Sequence, residues 1–225
     1  MRSIRGAALS SGLLSLALGC GRPPAPPPNT EPIPTASDAA ADSLLADVRA
    51  VDSTIRVEAR YATANNFTGA PLPGYEANRI FLRREAAAAL GRVQRAVRRL
   101  GLGLLVYDGY RPVRATLGMV AWTERVGRTD LLDDGYIARR SRHNMGVAVD
   151  LTLVDTTTGE SIEMGTPYDT FTAAAHTANA SGAVARNRRK LVEAMEREGF
   201  RNYDQEWWHF SFEVPGAVPF DRVVR

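Results

Sequence analysis

The chain has 225 residues, a length that suits one globular domain with accessory segments. Its content of 44% hydrophobic and 24% charged residues excludes both a disordered polymer and a membrane-embedded helical bundle. The 28 basic residues exceed the 25 acidic ones, but two of them, Arg2 and Arg5, lie in a segment that we expect to be removed, so we expect no broad basic surface and no nucleic-acid partner.

Residues 1–19 have the layout of a secretory signal peptide. Arg2 and Arg5 precede the apolar run "GAALSSGLLSLALG", which is too short to span a bilayer. Cys20 is the only cysteine, so no intrachain disulfide can form, and "LALGC" resembles the lipobox of bacterial lipoproteins. We expect an exported protein of the periplasm or cell envelope that contacts the membrane only through a lipid on Cys20. Ordinary signal cleavage, with an incidental cysteine, is the alternative.

A proline-rich segment follows the cysteine. "GRPPAPPPNTEPIPTA" fills residues 21–36, and proline at this density favours extended polyproline II structure. We interpret residues 20–36 as the lipidation site and a spacer, with a proline-rich recognition ligand as the alternative. The folded domain is then predicted to span residues 37–225.

The first half of that domain alternates helical and extended patterns. "DSLLADVRAV" (42–51) predicts a short helix or a lead-in strand, and "FLRREAAAALGRVQRAVRRLG" (81–101) predicts a helix that stops at Gly101. "LGLLVYD" (102–108) predicts a buried strand. Pro112 in "GYRP" cannot continue that strand and predicts the start of a helix through about Arg125.

The second half contains two further strands and one helix. "GVAVDLTLV" (146–154) predicts a strand with Asp150 on its polar face, and "DTTTGE" predicts the turn after it. "AVARNRRKLVEAMEREGF" (183–200) predicts a helix whose basic cluster "RNRRK" is a solvated face rather than a phosphate site. "WWHFSFEV" (207–214) predicts the last strand. The mixture predicts a single α+β domain with a central, mainly antiparallel sheet flanked by helices.

Two of only three histidines lie close to acids in sequence, in "SRHNMGVAVD" and "EWWHF". Two imidazoles and one carboxylate are a ligand set for a catalytic zinc ion, which leaves a fourth position for water. His143, Asp150 and His209 therefore form the predicted site, although the same set also suits iron(II). The third histidine, His176, is predicted to be structural or peripheral.

Glu206 is the predicted general base. A carboxylate three residues before a ligand can accept the proton of an activated water and deliver it to a leaving amine. In a regular strand, however, residues 206 and 209 face opposite sides. Glu206 must therefore lie in a turn or bulge. The competing interpretation is an aromatic core with a flanking acid.

Several motifs together resemble the D-alanyl-D-alanine dipeptidases. The similarity runs from about Val51 to Phe212 and includes "RYATANNFTG", "GYEANRI", "YDGYRP", "SRHNMGVAVDLTL", "MGTPYD", "MEREGF" and "EWWHF". The wider group shares its fold with the Hedgehog signalling domain. This resemblance implies one zinc ion per chain and hydrolysis of the D-Ala-D-Ala dipeptide to free D-Ala.

The resemblance also implies a role for individual residues. It implies that His143, Asp150 and His209 are the zinc ligands and that Glu206 is the catalytic base. Arg111 of "GYRP" corresponds to the arginine that stabilises the oxyanion, a role that a fixed guanidinium can fill. Asp169 of "MGTPYD" is implied to bind the substrate ammonium group, and Ser141 to lie beside the substrate carboxylate.

Two departures from the family pattern keep alternatives open. "TFTAAAH" (170–176) stands where the family has an acidic segment, and the lipoprotein-like N-terminus is absent from the cytoplasmic resistance enzymes. A peptidoglycan DD- or LD-carboxypeptidase or endopeptidase of the same group is one alternative. A non-catalytic metal-binding envelope protein is another, but metal storage requires neither Glu206 nor Arg111.

Overall fold

The computed structural model describes residues 32–225. Its centre is a five-stranded sheet in the order β2-β4-β5-β7-β6, in which β2 and β4 are parallel and every other pair is antiparallel. A two-stranded antiparallel sheet, β1-β3, lies beside it. The strands are β1 (Leu45–Asp47), β2 (Arg56–Val57), β3 (Phe81–Arg83), β4 (Leu102–Asp108), β5 (Ala148–Asp155), β6 (Phe200–Tyr203) and β7 (Glu206–Phe212).

Two long helices cover the apolar face of the central sheet. Leu90 of one helix and Leu191 of the other share a buried cluster with Val149, Leu151 and Leu153 of β5, the face predicted to be apolar. The prediction of an α+β domain with a mainly antiparallel sheet flanked by helices is therefore confirmed. The helices are α1 (Asp38–Leu44), α2 (Val48–Val51), α3 (Arg84–Arg98), α4 (Val113–Val126), α5 (Asp130–Asp133) and α6 (Gly182–Glu196).

The structure corrects several predicted boundaries. The helix predicted from Phe81 begins at Arg84, because Phe81–Arg83 pairs with Leu45–Asp47 as strand β3. The helix predicted to close at Gly199 ends at Glu196, and Phe200–Tyr203 forms the edge strand β6, which was not predicted. "DSLLADVRAV" contains the end of α1, strand β1 and helix α2, rather than a helix or a strand alone. Strands this short lack the alternating pattern that identifies a strand in sequence.

The predicted signal peptide and Cys20 lie outside the described residues, as does most of the predicted spacer. Close to the first described residue, Ala36 pairs with Phe220, and the Ser37 side chain accepts a hydrogen bond from the Ala40 N–H to cap α1. Among residues 32–225, no helix is long and apolar enough to cross a membrane.

Candidate active site

The centre of the site is a row of three polar side chains across adjacent strands. The register pairs Asp108 of β4 with Asp150 of β5, and Asp150 with His209 of β7. Directly paired residues of antiparallel strands project from the same face with Cβ atoms about 5 Å apart. The strand pairing alone therefore brings these three side chains together.

His143 reaches the row from a short 3₁₀ turn, Arg142–Met145, which comes just before β5. The Ser141 hydroxyl accepts a hydrogen bond from the His143 N–H at 3.2 Å, and Gly146 ends the turn at a φ of 69°. The His143 Nδ1–H donates to the Gly109 carbonyl oxygen at 2.7 Å. This bond leaves Nε2 unprotonated and directed toward Asp150 and His209.

The residue that supplies this carbonyl, Gly109, lies very close to the chain at Ile80 and Phe81. A Cβ at residue 109 would lie 2.6 Å from Ile80 Cγ2 and 2.7 Å from the Phe81 carbonyl oxygen. Only glycine fits such an approach without a shift of the backbone.

Three potential ligand atoms converge at the site. The distance from His209 Nδ1 to Asp150 Oδ1 is 2.9 Å, and His143 Nε2 lies 3.2 Å from His209 Nδ1 and 3.4 Å from Asp150 Oδ1. A tetrahedral ion with bonds of about 2.0–2.1 Å holds its ligands about 3.3 Å apart. The three side chains thus fit a zinc-sized cation with only small adjustments.

The electrostatics of these ligands suit a metal ion. Burial alone would raise the pKa of Asp150, but the electrostatic effect of the adjacent imidazoles of His143 and His209, and their hydrogen bonds, lower it below its usual value. Burial lowers the pKa of His209. An ionised carboxylate and a neutral imidazole are the forms that bind metal.

Glu206 lies beside the ligands because strand β7 bulges. Tyr203 pairs with Glu206 and Asn202 pairs with Phe210, so the residues between Glu206 and Phe210 have no partner on β6. The bulge cancels the alternation of a regular strand, and a Glu206 carboxylate oxygen lies 3.8 Å from His209 Nδ1. Burial raises the pKa of Glu206 well above its usual value, and the charges of Asp150 and Asp169 raise it further.

Arg111 is a buried residue, and Asp108 orients it. Its Nε and one terminal nitrogen lie 2.9 and 2.8 Å from Asp108 Oδ2, while Tyr75 donates to Oδ1 at 2.6 Å. The same terminal nitrogen lies 3.8 Å from Asp150 Oδ2. The guanidinium is therefore fixed beside the cluster of ligand atoms.

Asp169 faces the same space through a chain of tyrosine hydroxyls. Tyr61 lies 3.1 Å from Asp169 Oδ1, Tyr168 lies 2.9 Å from Tyr61, and Tyr168 donates to Asp150 Oδ2 at 3.0 Å. Burial raises the pKa of Asp169 well above its usual value, with a further contribution from Asp150. Asp169 is also the only non-glycine residue with a positive φ, 61°, in the described part of the chain. A half-buried acid held in this conformation is suited to binding a cation.

These groups surround a cavity of about 230 Å³, which is small for a ligand site. Ser141 lines the cavity, and so does Tyr136, whose hydroxyl is 3.0 Å from His176 Nε2. His176 itself lies outside the His143–Asp150–His209 cluster, the group of possible metal ligands found among residues 32–225.

The loop that carries Asp169 is secured by Arg188, which corrects the interpretation of "RNRRK" as a wholly solvated face. Arg188 is 2% exposed and donates to the carbonyl oxygens of Met164, Ala174 and His176. Asp108 was not predicted as a site residue, although an acid at the end of a predicted strand, three residues before Arg111, is a signal that could have identified it. Tyr61 and Tyr168 lie in "RYATANNFTG" and "MGTPYD", two motifs that carry the resemblance, but no role was predicted for either residue.

Two imidazoles and a carboxylate that converge beside a buried glutamate and a fixed arginine define a metal-dependent hydrolytic centre. The family model described as "D-ala-D-ala dipeptidase", of peptidase family M15, matches residues 41–222. The chain therefore belongs to the D-Ala-D-Ala dipeptidase family.

Two D-alanyl-D-alanine dipeptidases agree with this membership. The chain is 42% identical to a D-alanyl-D-alanine dipeptidase of Streptomyces coelicolor, over 72% of this chain and 87% of the relative. It is 39% identical to one of Enterococcus faecium, over 69% and 85%. A solved structure of a mutant vancomycin resistance D,D-pentapeptidase VanY in complex with Zn(II) covers 63% of this chain and 77% of its own, at 20% identity and a TM-score of 0.38.

Proposed function

We propose that this protein is a zinc-dependent dipeptidase that hydrolyses D-Ala-D-Ala to free D-Ala. The observation that carries the proposal is the convergence of His143, Asp150 and His209 within hydrogen-bonding distance of one another, with Glu206 beside them. The relatives named above are D-alanyl-D-alanine dipeptidases, which supports the same substrate.

Zinc is the ion we propose for this ligand set. When bound, it supplies Lewis-acid polarisation of the substrate carbonyl and lowers the pKa of a water molecule. Glu206 accepts the proton of the attacking water and delivers it to the amine that leaves as the peptide bond breaks. Its raised pKa, which is caused first by burial, suits a group that takes up and releases a proton during the reaction.

Arg111 acts on the carbonyl group of the scissile bond. Its terminal nitrogen lies 3.8 Å from a ligand carboxylate, and Asp108 prevents the guanidinium from turning away. We propose that it stabilises the negative charge that develops on the carbonyl oxygen during attack.

The ends of the dipeptide are recognised separately. Asp169 binds the free ammonium group, whose positive charge favours the ionised form of a carboxyl that its surroundings otherwise disfavour. We propose that Ser141 lies near the free carboxylate, since it lines the same cavity. The small cavity and an acid that requires a cation both favour a short substrate with a free amino end over a peptidoglycan stem peptide.

Competition between substrates tests this proposal. The purified protein is incubated with zinc and equal concentrations of D-Ala-D-Ala, its N-acetylated form and a muramyl pentapeptide, and D-Ala release is followed by mass spectrometry. We expect cleavage of the free dipeptide and little cleavage of the others, because a blocked amine leaves Asp169 unpaired. Preferential trimming of the pentapeptide would favour a carboxypeptidase that uses the same centre.

We further propose that the protein acts outside the cytoplasm, anchored through a lipid on Cys20. The support is the basic start, the short apolar run and the small residue before the cysteine. Residues 21–36 would then hold the domain away from the membrane.

A further inference from the structure

The bulge in β7 leaves backbone groups without partners on β6, and the metal ligands do not supply them. Trp207–His209 interrupts the ladder with β6, and this interruption allows Glu206 and His209 to face the same cavity. Backbone groups released from a ladder need other partners if the bulge is to keep one geometry. A partner that contacts the backbone at both ends of the bulge would fix the relative positions of the base and the ligand.

The Asn202 side chain is such a partner. Its Nδ2 donates to the Glu206 carbonyl oxygen at 3.1 Å and to the His209 carbonyl oxygen at 3.0 Å. A primary amide has two N–H donors, and both are used here. Because two carbonyl oxygens can only accept, the orientation of the amide is fixed by chemistry.

Thr177 secures the other end of the amide. Its hydroxyl lies 2.6 Å from Asn202 Oδ1, and its backbone N–H donates to the Asp204 carbonyl oxygen at 2.8 Å. Asn202 is thus held between Thr177, in the loop that follows Asp169, and the bulge in β7. Among the described residues, Asn202 is absent from the lining of the active-site cavity.

We propose that Asn202 is a positioning residue that clamps the β7 bulge and so sets the Glu206 carboxylate and the His209 imidazole at their working separation, with Thr177 orienting the clamp. Asn202 acts through these two residues and touches neither substrate nor metal. Displacement of a reacting group by about 1 Å costs about 10²-fold in rate, and loss of a group that supports a metal ligand costs about 10–100-fold in affinity or activity. The kinetic part of this inference rests on the proposed dipeptidase activity; the metal-binding part does not.

Asn202→Asp is the sharpest test, because it preserves the shape of the side chain while replacing both donors with an oxygen that repels the two carbonyls. We expect kcat to fall about 10–100-fold with little change in KM, and zinc affinity, measured by chelator competition, to weaken about 10-fold. Asn187→Asp is the matched control, since its amide donates to the Glu163 carbonyl oxygen away from the bulge. It should leave all three quantities unchanged.

A second pair of variants does not depend on a new charge. Thr177→Val removes the hydroxyl that orients Asn202, whereas Thr177→Ser retains it. We expect the valine variant to lower kcat and zinc affinity in the same direction as Asn202→Asp, and the serine variant to match the wild type. If Asn202→Asp does not fold, this pair decides the matter.

The Glu206→Ala background separates positioning from general damage. If Asn202 acts on kcat through Glu206, then Asn202→Asp should lower the residual kcat far less there than in the wild type. An equal loss in both backgrounds would overturn the proposal. So would wild-type kcat and zinc affinity in folded Asn202→Asp, or equal behaviour of the two Thr177 variants. If the wild-type protein does not cleave D-Ala-D-Ala, the proposed function fails, but the zinc affinities still test the clamp.

Discussion

The burial of the ion pair between Arg111 and Asp108 predicts how much stability the protein loses when the pair is broken. The Asp108 side chain is fully buried, the Arg111 side chain is 11% exposed, and their closest contact is 2.8 Å. Asp108→Ala leaves the guanidinium buried without its partner and also removes the acceptor of the Tyr75 hydroxyl. Breaking a buried pair in this way costs about 3–5 kcal/mol of unfolding free energy.

That cost translates into a large thermal shift. A domain of this size loses about 2–4 °C of Tm per kcal/mol, so we expect Asp108→Ala to lower Tm by about 6–20 °C. Turnover should fall roughly 10²–10³-fold as well, because an unanchored guanidinium no longer faces the oxyanion. Circular dichroism melting and D-Ala release on the same preparation measure both effects.

Two controls make the reasoning refutable. Asp130→Ala breaks the exposed pair with Arg128, whose side chains are about half exposed, and should change Tm little. Combining Asp108→Ala with Arg111→Met removes the unpaired charge and should recover most of the lost Tm while activity stays low. A Tm for Asp108→Ala equal to that of Asp130→Ala would refute the argument from burial.

Three further predictions concern the site and its location. His143→Ala should lose bound zinc in elemental analysis, whereas His176→Ala should keep it. Stoichiometric zinc in the His143→Ala variant would exclude His143 as a ligand. Glu206→Ala should retain zinc and the fold but lose at least about 10²-fold in kcat, because proton transfer is lost; near-normal turnover would exclude Glu206 as the base. Cys20→Ser should release the protein from the membrane fraction; a wild-type protein that is already soluble, with a free N-terminus beyond residue 20, would contradict lipid anchoring.

The sequence predicted those parts of the fold whose patterns are long and periodic. "LGLLVYD" became strand β4 with the expected bounds, and the apolar face of β5 packs against α3 and α6 as predicted. Strand β3 was read as the start of a helix because it is very short and continues directly into a helical pattern, and the short strand β6 was not predicted. Their identity depends on a distant partner strand, which local sequence does not reveal.

The candidate site was predictable in composition but not in its supporting contacts. The sequence predicted that His143, Asp150 and His209 converge. It also predicted that Glu206 lies where the strand departs from regular alternation. It did not predict that Asn202 bridges the resulting bulge, or that Arg188 is buried and donates hydrogen bonds to three loop carbonyl oxygens. Such contacts arise from tertiary packing of loops, which leaves no periodic trace in the sequence.

The most direct test of the account is a zinc titration of metal-free protein, with bound zinc and D-Ala release from D-Ala-D-Ala measured on the same samples. We predict that activity rises in proportion to bound zinc and saturates at about one ion per chain, as a site with three protein ligands requires. Full activity without metal, or a fully loaded protein that releases no D-Ala, would contradict a zinc dipeptidase built on His143, Asp150 and His209.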